Sequence, residues 1–443
     1  MTHRHDMLEK VLDRVGSGVE AEIRLSTGVE SLTRFANSFI HQNVSEEVST
    51  MSLRVALDGR VASASGTVTD EETLERLVET AIDAAQRQPV DPDWPGVASP
   101  SITPATEHWD AETADAAAVE RARKVKEFVD AGPSMEAAGY CSSSSSEVFF
   151  VNTRGHFAAG RATTAILDGI HQTGRSAGSG HQTDRALSGI DAHAVGSLAA
   201  QRAVDSVETY DIKPGEYEVV LSQECVATIA MFLGAYGFNA KVYDEGMSFV
   251  DMDTRQFDES FTMVDDALDG RGLAVPFDSE GTSRRRVELV VGGVTKGLTH
   301  DRRTAKKAGV ESTGNALPGG DTFGPTATQV FVDQGEQTVD DMIAGVERGL
   351  YVATFNYCRV LDPKSLAVTG LTRNGTFVIE NGKITGAVNG LRFTQSFVEA
   401  LGPDRILGLG NDARWADSEF GPGMIHSPSV RLSSWNFTGG TDG

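Results

Sequence analysis

The chain has 443 residues, 40% of them hydrophobic, more than one core usually supports, so two domains are expected. Sixty-three acidic against 39 basic residues give a net charge of −24, dispersed along the chain, which disfavours binding to nucleic-acid phosphates. No apolar run approaches the roughly 18 residues that span a bilayer, and the opening Met1–Lys10 is polar with no signal-peptide core, so we expect a cytoplasmic protein without a membrane segment.

The basic residues are mostly Arg, with only 10 Lys. A dispersed acidic surface poor in Lys points to a salty cytoplasm, although a GC-rich genome gives the same Arg bias. Cys141, Cys225 and Cys358 are odd in number and far apart, which fits neither a disulfide framework nor a paired zinc site. They read as buried small apolar residues.

In chain order, residues 20–63 alternate in short polar and apolar runs, and Asp58-Gly59 between two of them predicts a tight hairpin. From Thr69 the period becomes helical, with Leu74, Leu77, Val78, Ala81, Ile82 and Ala85 on one face and Thr69 to Glu72 in capping-box spacing. A second helix is expected over 111–131, strands over 148–151 and 158–167, and a third helix over 191–207. The Pro214-Gly215 pair after a helix and before an apolar strand, Tyr217 to Leu221, places a domain break there, giving domains 1–210 and 211–443. Beyond it come a helix from Gln223 to Phe238, a Gly-rich middle, a short helix near 339–347 and a strand-rich end with a hairpin at Asn381-Gly382. The expected class is α/β (α+β), a strand-and-helix N-terminal half and a β-rich C-terminal half.

Several motifs invite a chemical reading. Gly174-Arg-Ser176-Ala-Gly178 matches a nucleophile elbow but lacks the buried strand before it and the helix after it, so it reads as a Gly-rich loop. His171 and His181, near Asp168 and Asp184, suggest a metal site, yet the spacing supplies no visible third and fourth ligand, and two polar strand or loop histidines are the simpler reading. His156, His300 and His426 are isolated, and the Ser142 to Ser146 run has no base nearby in sequence. Gly292 to Gly297 lacks the spacing of a phosphate loop.

Four stretches together resemble the TldD/PmbA family of metallopeptidases, also described as modulators of DNA gyrase. They are Ala21-Glu22-Ile-Arg with Leu57-Asp-Gly-Arg60; Pro214-Gly-Glu-Tyr-Glu-Val-Val-Leu221; Thr304-Ala305 with Glu311-Ser-Thr-Gly-Asn-Ala316; and Asp362-Pro through Thr369–Gly375, Ile379–Lys383 and Leu391-Arg-Phe393. The resemblance implies a two-domain TldD/PmbA fold assembled as a dimer around its active site. In catalytic members the strand leads into a helix carrying HExxxH, two zinc-binding His and a general-base Glu, with a Cys near the C-terminus as a further ligand.

By the family's spacing those positions fall on Met231, Phe232 and Tyr236, none of which can do its counterpart's work, and no His occurs between His193 and His300. The stretch Gly423–Val430 has no Cys, and Cys358 lies too early to replace it. The resemblance therefore implies a TldE (PmbA-type) subunit with no catalytic residue and no metal in this chain. Zinc would come from a TldD-type partner in a heterodimer, with a homodimer forming in isolation and unfolded peptide as substrate. Thr313, Gly314 and Asn315 are the candidates for contact with substrate. A stand-alone peptide-binding or scaffold homodimer is the alternative, and an enzyme of different mechanism a third.

Overall fold

The computed structural model describes residues 2–68, 70–320 and 322–440, the side chains of residues 2, 3 and 6 excepted. It opens on helix α1 (Thr2–Val15), which the polar opening of the chain does not announce. Leu8, Val11, Leu12 and Val15 nevertheless fall at helical spacing and are all buried. Strands β1 (Glu20–Ala36), β2 (Phe39–Leu57) and β3 (Arg60–Gly66) follow. Asp58 (φ 48°) and Gly59 (φ 75°) turn the β2–β3 hairpin as expected, both in the left-handed region that a two-residue turn of this kind requires.

Helix α2 (Glu71–Arg87) buries Leu77, Val78, Ala81 and Ala85. Its capping box is Asp70 with Thr73, the Asp70 carboxylate accepting from Thr73 N at 2.8 Å. The expected cap, Thr69, lies outside the described residues; Asp70, the stronger capping type, takes the role one position later. The helix expected over 111–131 is two, α3 (Ala111–Ala114) and α4 (Ala118–Asp130). The single turn of α3 is tied down by Thr113, whose hydroxyl accepts from Leu187 N at 2.7 Å.

Strands β4 (Glu136–Asn152), β5 (Phe157–Gln172) and β6 (Ala177–Asp184) run well beyond the apolar segments predicted at 148–151 and 158–167. The serine run lies inside β4, Ser142 to Ser146 pairing with Gly28 to Leu32 on one side and with Ala162 to Ile166 on the other. Serine carries no apolar alternation, so neighbouring strands and not local pattern specify this segment. The six strands form one antiparallel sheet in the order β3-β2-β1-β4-β5-β6. Helices α1 and α2 cover one end, and α4 with α5 (Ala192–Asp205) the other.

The remaining two sheets begin at Thr209–Tyr210, which pairs in parallel with Lys383–Val388. The larger has ten strands, with Gly215–Leu221 at its centre between Val430–Gly440 and Arg348–Val352. The smaller runs from Val294–Thr295 to Arg414–Ser418 in six strands. Asn381 (φ 51°) and Gly382 (φ 75°) turn the second predicted hairpin. Helix α6 (Gln223–Tyr236) is enclosed in the core these sheets share, with every residue from Glu224 to Gly234 buried. A short helix, Val339–Ala344, is capped by Thr338. The class is α+β, as read from the sequence.

The two sets of sheets are joined by polar contacts. Arg54 on β2, which also donates to Glu22 of β1 at 2.6 Å, crosses to Glu280 at 2.9 Å, and Arg414 donates to the His181 carbonyl at 2.9 Å.

Candidate functional site

The apolar character of α6 decides what its middle can do. Met231 is 6% exposed and Phe232 2%, and Tyr236 is half-buried. The Phe232 ring stacks on Tyr236 with centroids 5.7 Å apart and meets Phe397 edge-on at 5.8 Å, while Phe420 closes over it at 5.9 Å. A thioether, a benzene ring and a phenol in such packing offer no donor set for zinc and no wet position for a metal-bound water, so the family's metal does not fit here.

The first turns of α6 face a different environment. Glu224 and Thr228 line a cleft of about 280 Å³ between the β5–β6 hairpin and the strand Arg414–Ser418. The antiparallel register sets Asp168 opposite His181. His181 Nδ1 stands 3.3 Å from Asp168 Oδ2, and its Nε2 2.9 Å from the Thr183 hydroxyl. Asp417 arrives from the far strand, and one polar atom from each of Asp168, His181 and Asp417 lies within 4.8 Å of the others.

Electrostatics divide the two acids contributed from the C-terminal half. Burial works to raise the Glu224 carboxyl, but Arg414, Arg202 and His181 outweigh it and hold it at about 2. Burial pushes the Asp417 carboxyl up, and the charges of Asp168 and Glu224 add to this against the pull of His181.

Of the residues singled out in the sequence, the structure brings His181 and Asp168 together but not His171. The His171 ring stacks on Phe128 at 4.8 Å with Nε2 3.0 Å from the Phe128 carbonyl, and burial lowers its pKa, so it is a neutral core histidine. Asp184 accepts from Ala186 N at 2.8 Å. Gly174 to Ser176 form the turn between β5 and β6, with Ser176 Oγ donating to the Ala203 carbonyl at 2.6 Å. His156 Nε2 lies 2.7 Å from the Gly281 carbonyl, His300 is half-buried, and His426 packs against Phe331 and Trp415.

Thr313 and Asn315 are buried in a polar chain, Thr313 Oγ1 to Asn315 Oδ1 at 2.6 Å and Asn315 Nδ2 to Asp265 at 2.6 Å. Gly314 (φ 77°) lies so near the Arg284 main chain that a Cβ would come 2.7 Å from Arg284 Cα. All three cysteines are buried, and burial raises each thiol. The residues that reading the sequence missed are Glu224, Asp417, Arg202 and Arg414, for which no local spacing gave a signal.

Family models match two segments: residues 214–439 correspond to the "PmbA/TldA metallopeptidase C-terminal domain" and residues 21–85 to "PmbA/TldA metallopeptidase domain 1". The chain belongs to the TldD/PmbA metallopeptidase family. Curated relatives of this family member include a metalloprotease of Methanothermobacter thermautotrophicus, 23% identical over 277 residues, 60% of each chain. A TldD homologue of Haemophilus influenzae is 29% identical over 148 residues, 32% of this chain and 29% of the relative. The alignments thus span at most about 60% of these two relatives' length. Among solved structures, TldE from Thermococcus kodakarensis superposes with a TM-score of 0.86 at 18% identity, covering 98% of this chain and 100% of that one. A protein described as a modulator of a DNA gyrase from Thermotoga maritima gives 0.84 at 18% identity, covering 97% and 100%. At such identities these likenesses establish the TldD/PmbA fold. No helix among the described residues is long and apolar enough to cross a membrane.

Proposed function

We propose that this chain is the non-catalytic, TldE-like subunit of a two-subunit zinc peptidase that degrades or processes unfolded peptides in the cytoplasm. The observation that carries this reading is the closed apolar packing of Met231 and Phe232 at the positions where catalytic relatives hold a zinc ligand and a general base. A TldD-type partner supplies the zinc, and this chain completes the chamber. Thr313, Gly314 and Asn315 contribute to it by shaping the wall, since the Thr313 and Asn315 side chains are engaged internally and the Gly314 backbone packs against Arg284. The test is reconstitution. The purified chain alone should leave an unfolded peptide intact, and chelator-sensitive cleavage should appear on adding a TldD-type chain from the same source. Cleavage by the chain alone, or none with the partner present, contradicts the proposal.

One feature favours the second reading, a stand-alone peptide-binding homodimer. Strand β3 pairs only with Met51 to Leu57 of β2, so Phe39 to Thr50 has a strand neighbour on one side only among the described residues. Such an edge can add an extended peptide strand. Peptide binding by the isolated chain, with light scattering showing a homodimer and no gain of cleavage with any TldD-type chain, selects this reading.

A further inference from the structure

We propose that Asp168, His181 and Asp417 hold a divalent transition-metal cation in the cleft between the β5–β6 hairpin and the strand Arg414–Ser418. This site shares no residue with the degenerate positions on α6 and does not depend on the non-catalytic reading.

The geometry carries the assignment. Ligands about 2.1 Å from a shared cation stand roughly 3 to 4 Å apart. One ligand atom from each of the three side chains lies within 4.8 Å of the others, and the closest pair, His181 Nδ1 and Asp168 Oδ2, is at 3.3 Å, the separation of neighbouring ligands. A small side-chain adjustment closes the set. His181 is also placed as a ligand: its Nε2 lies 2.9 Å from the Thr183 hydroxyl, an anchor that leaves Nδ1 facing Asp168, and a bound cation would take the tautomer with the proton on Nε2.

An independent observation points to a missing cation. Glu224 is 6% exposed and lines the same cleft, yet its Oε2 has no hydrogen-bond partner among the described residues; nor has the buried Oδ1 of Asp417. Buried carboxylate oxygens are normally satisfied, and two orphans in one cleft mark where positive charge belongs. Two nearby guanidinium groups have other partners. Arg414 serves Glu224 and the His181 carbonyl, and Arg202 the Ser179 carbonyl and the Tyr351 hydroxyl. They leave Glu224 Oε2 without a hydrogen bond. One imidazole with two carboxylates selects a cation of the Mn²⁺ to Zn²⁺ class over Mg²⁺ or Ca²⁺.

The experiment titrates the full chain, stripped with a chelator and dialysed, with Zn²⁺ by calorimetry and with Co²⁺ by visible absorption. About 0.5 M NaCl suppresses diffuse binding to the acidic surface. The expected result is one ion per chain, Mg²⁺ failing to compete at equal concentration. Asp417→Asn should weaken binding at least about tenfold, and Thr183→Val by about tenfold through loss of the imidazole's anchor. His193→Ala, which removes an exposed histidine on α5, should change nothing. If Asp417→Asn fails to give the wild-type circular dichroism, Asp168→Asn replaces it, Asp168 being partly exposed. Binding weaker than about 1 mM in the wild-type chain, or equal affinity in the wild type and the folded carboxamide variant, overturns the proposal.

Discussion

Arg414 reaches across from the smaller C-terminal sheet to the buried carboxylate of Glu224 at the start of α6 and donates with its other terminal nitrogen to the His181 carbonyl, linking three separate parts of the chain. The pair has consequences for stability. Glu224 sits at about 2 in the folded state against an ordinary 4.5, so the folded protein favours its ionised form. That contribution, about 3 kcal/mol, is present above roughly pH 4.5 and is lost as pH falls from 4.5 toward 2. Arg414→Met should cost about 3 to 5 kcal/mol at pH 7 by leaving the carboxylate without its nearest cation, and adding Glu224→Gln should restore more than half of the loss. Denaturant melts of the single and double variants check this, and a loss under about 1 kcal/mol would refute it.

The packing of α6 makes Phe232 intolerant of a carboxylate. Phe232→Glu places a carboxylate among Phe397, Phe420 and Tyr236 and should destabilise by about 3 to 5 kcal/mol, whereas Phe232→Leu should cost less than about 2. Neither this change nor Met231→His or Tyr236→His, singly, should yield chelator-sensitive peptide cleavage. A stable Phe232→Glu variant would show that the helix is not the closed core described.

Two glycines in the left-handed region separate backbone strain from steric conflict. Gly309 (φ 69°) ends a helix with nothing within 4 Å of where a Cβ would stand, while at Gly314 the Cβ would meet the Arg284 main chain at 2.7 Å. Gly309→Ala should cost about 1 kcal/mol and Gly314→Ala distinctly more, about 3 kcal/mol. Thermal melts giving equal losses would contradict the close approach at Gly314.

With a net charge of −24, repulsion among acidic groups opposes the compact state and is screened by salt. The melting temperature should therefore rise between dilute buffer and molar NaCl. A flat or falling profile would leave the Arg bias to genome composition and remove the argument for a salty cytoplasm.

Much of the local structure was legible in the sequence. Asp58-Gly59 and Asn381-Gly382 demand positive φ, and only a two-residue turn between strands satisfies that demand cheaply. The face of α2 showed in its helical period, and the want of zinc donors at Met231, Phe232 and Tyr236 is a property of single positions that no packing can alter. Helix α1 was legible too, in Leu8, Val11, Leu12 and Val15, but its polar remainder concealed it.

Other features needed the assembled sheets. The serines of β4 carry no pattern of their own and become a strand because β1 and β5 present hydrogen-bonding edges on either side. His171 and His181 look equivalent in sequence, yet the packing of Phe128 makes one a neutral core residue while the register of β5 with β6 turns the other toward Asp168. Asp417, Glu224 and Arg414 join them only because the two sets of sheets pack together. Period and turn chemistry are written within a few neighbouring residues, so the sequence by itself determined the hairpins and the apolar run of α6; a convergence of charges from distant strands depends on sheet order and interfacial packing, which only the tertiary structure decided.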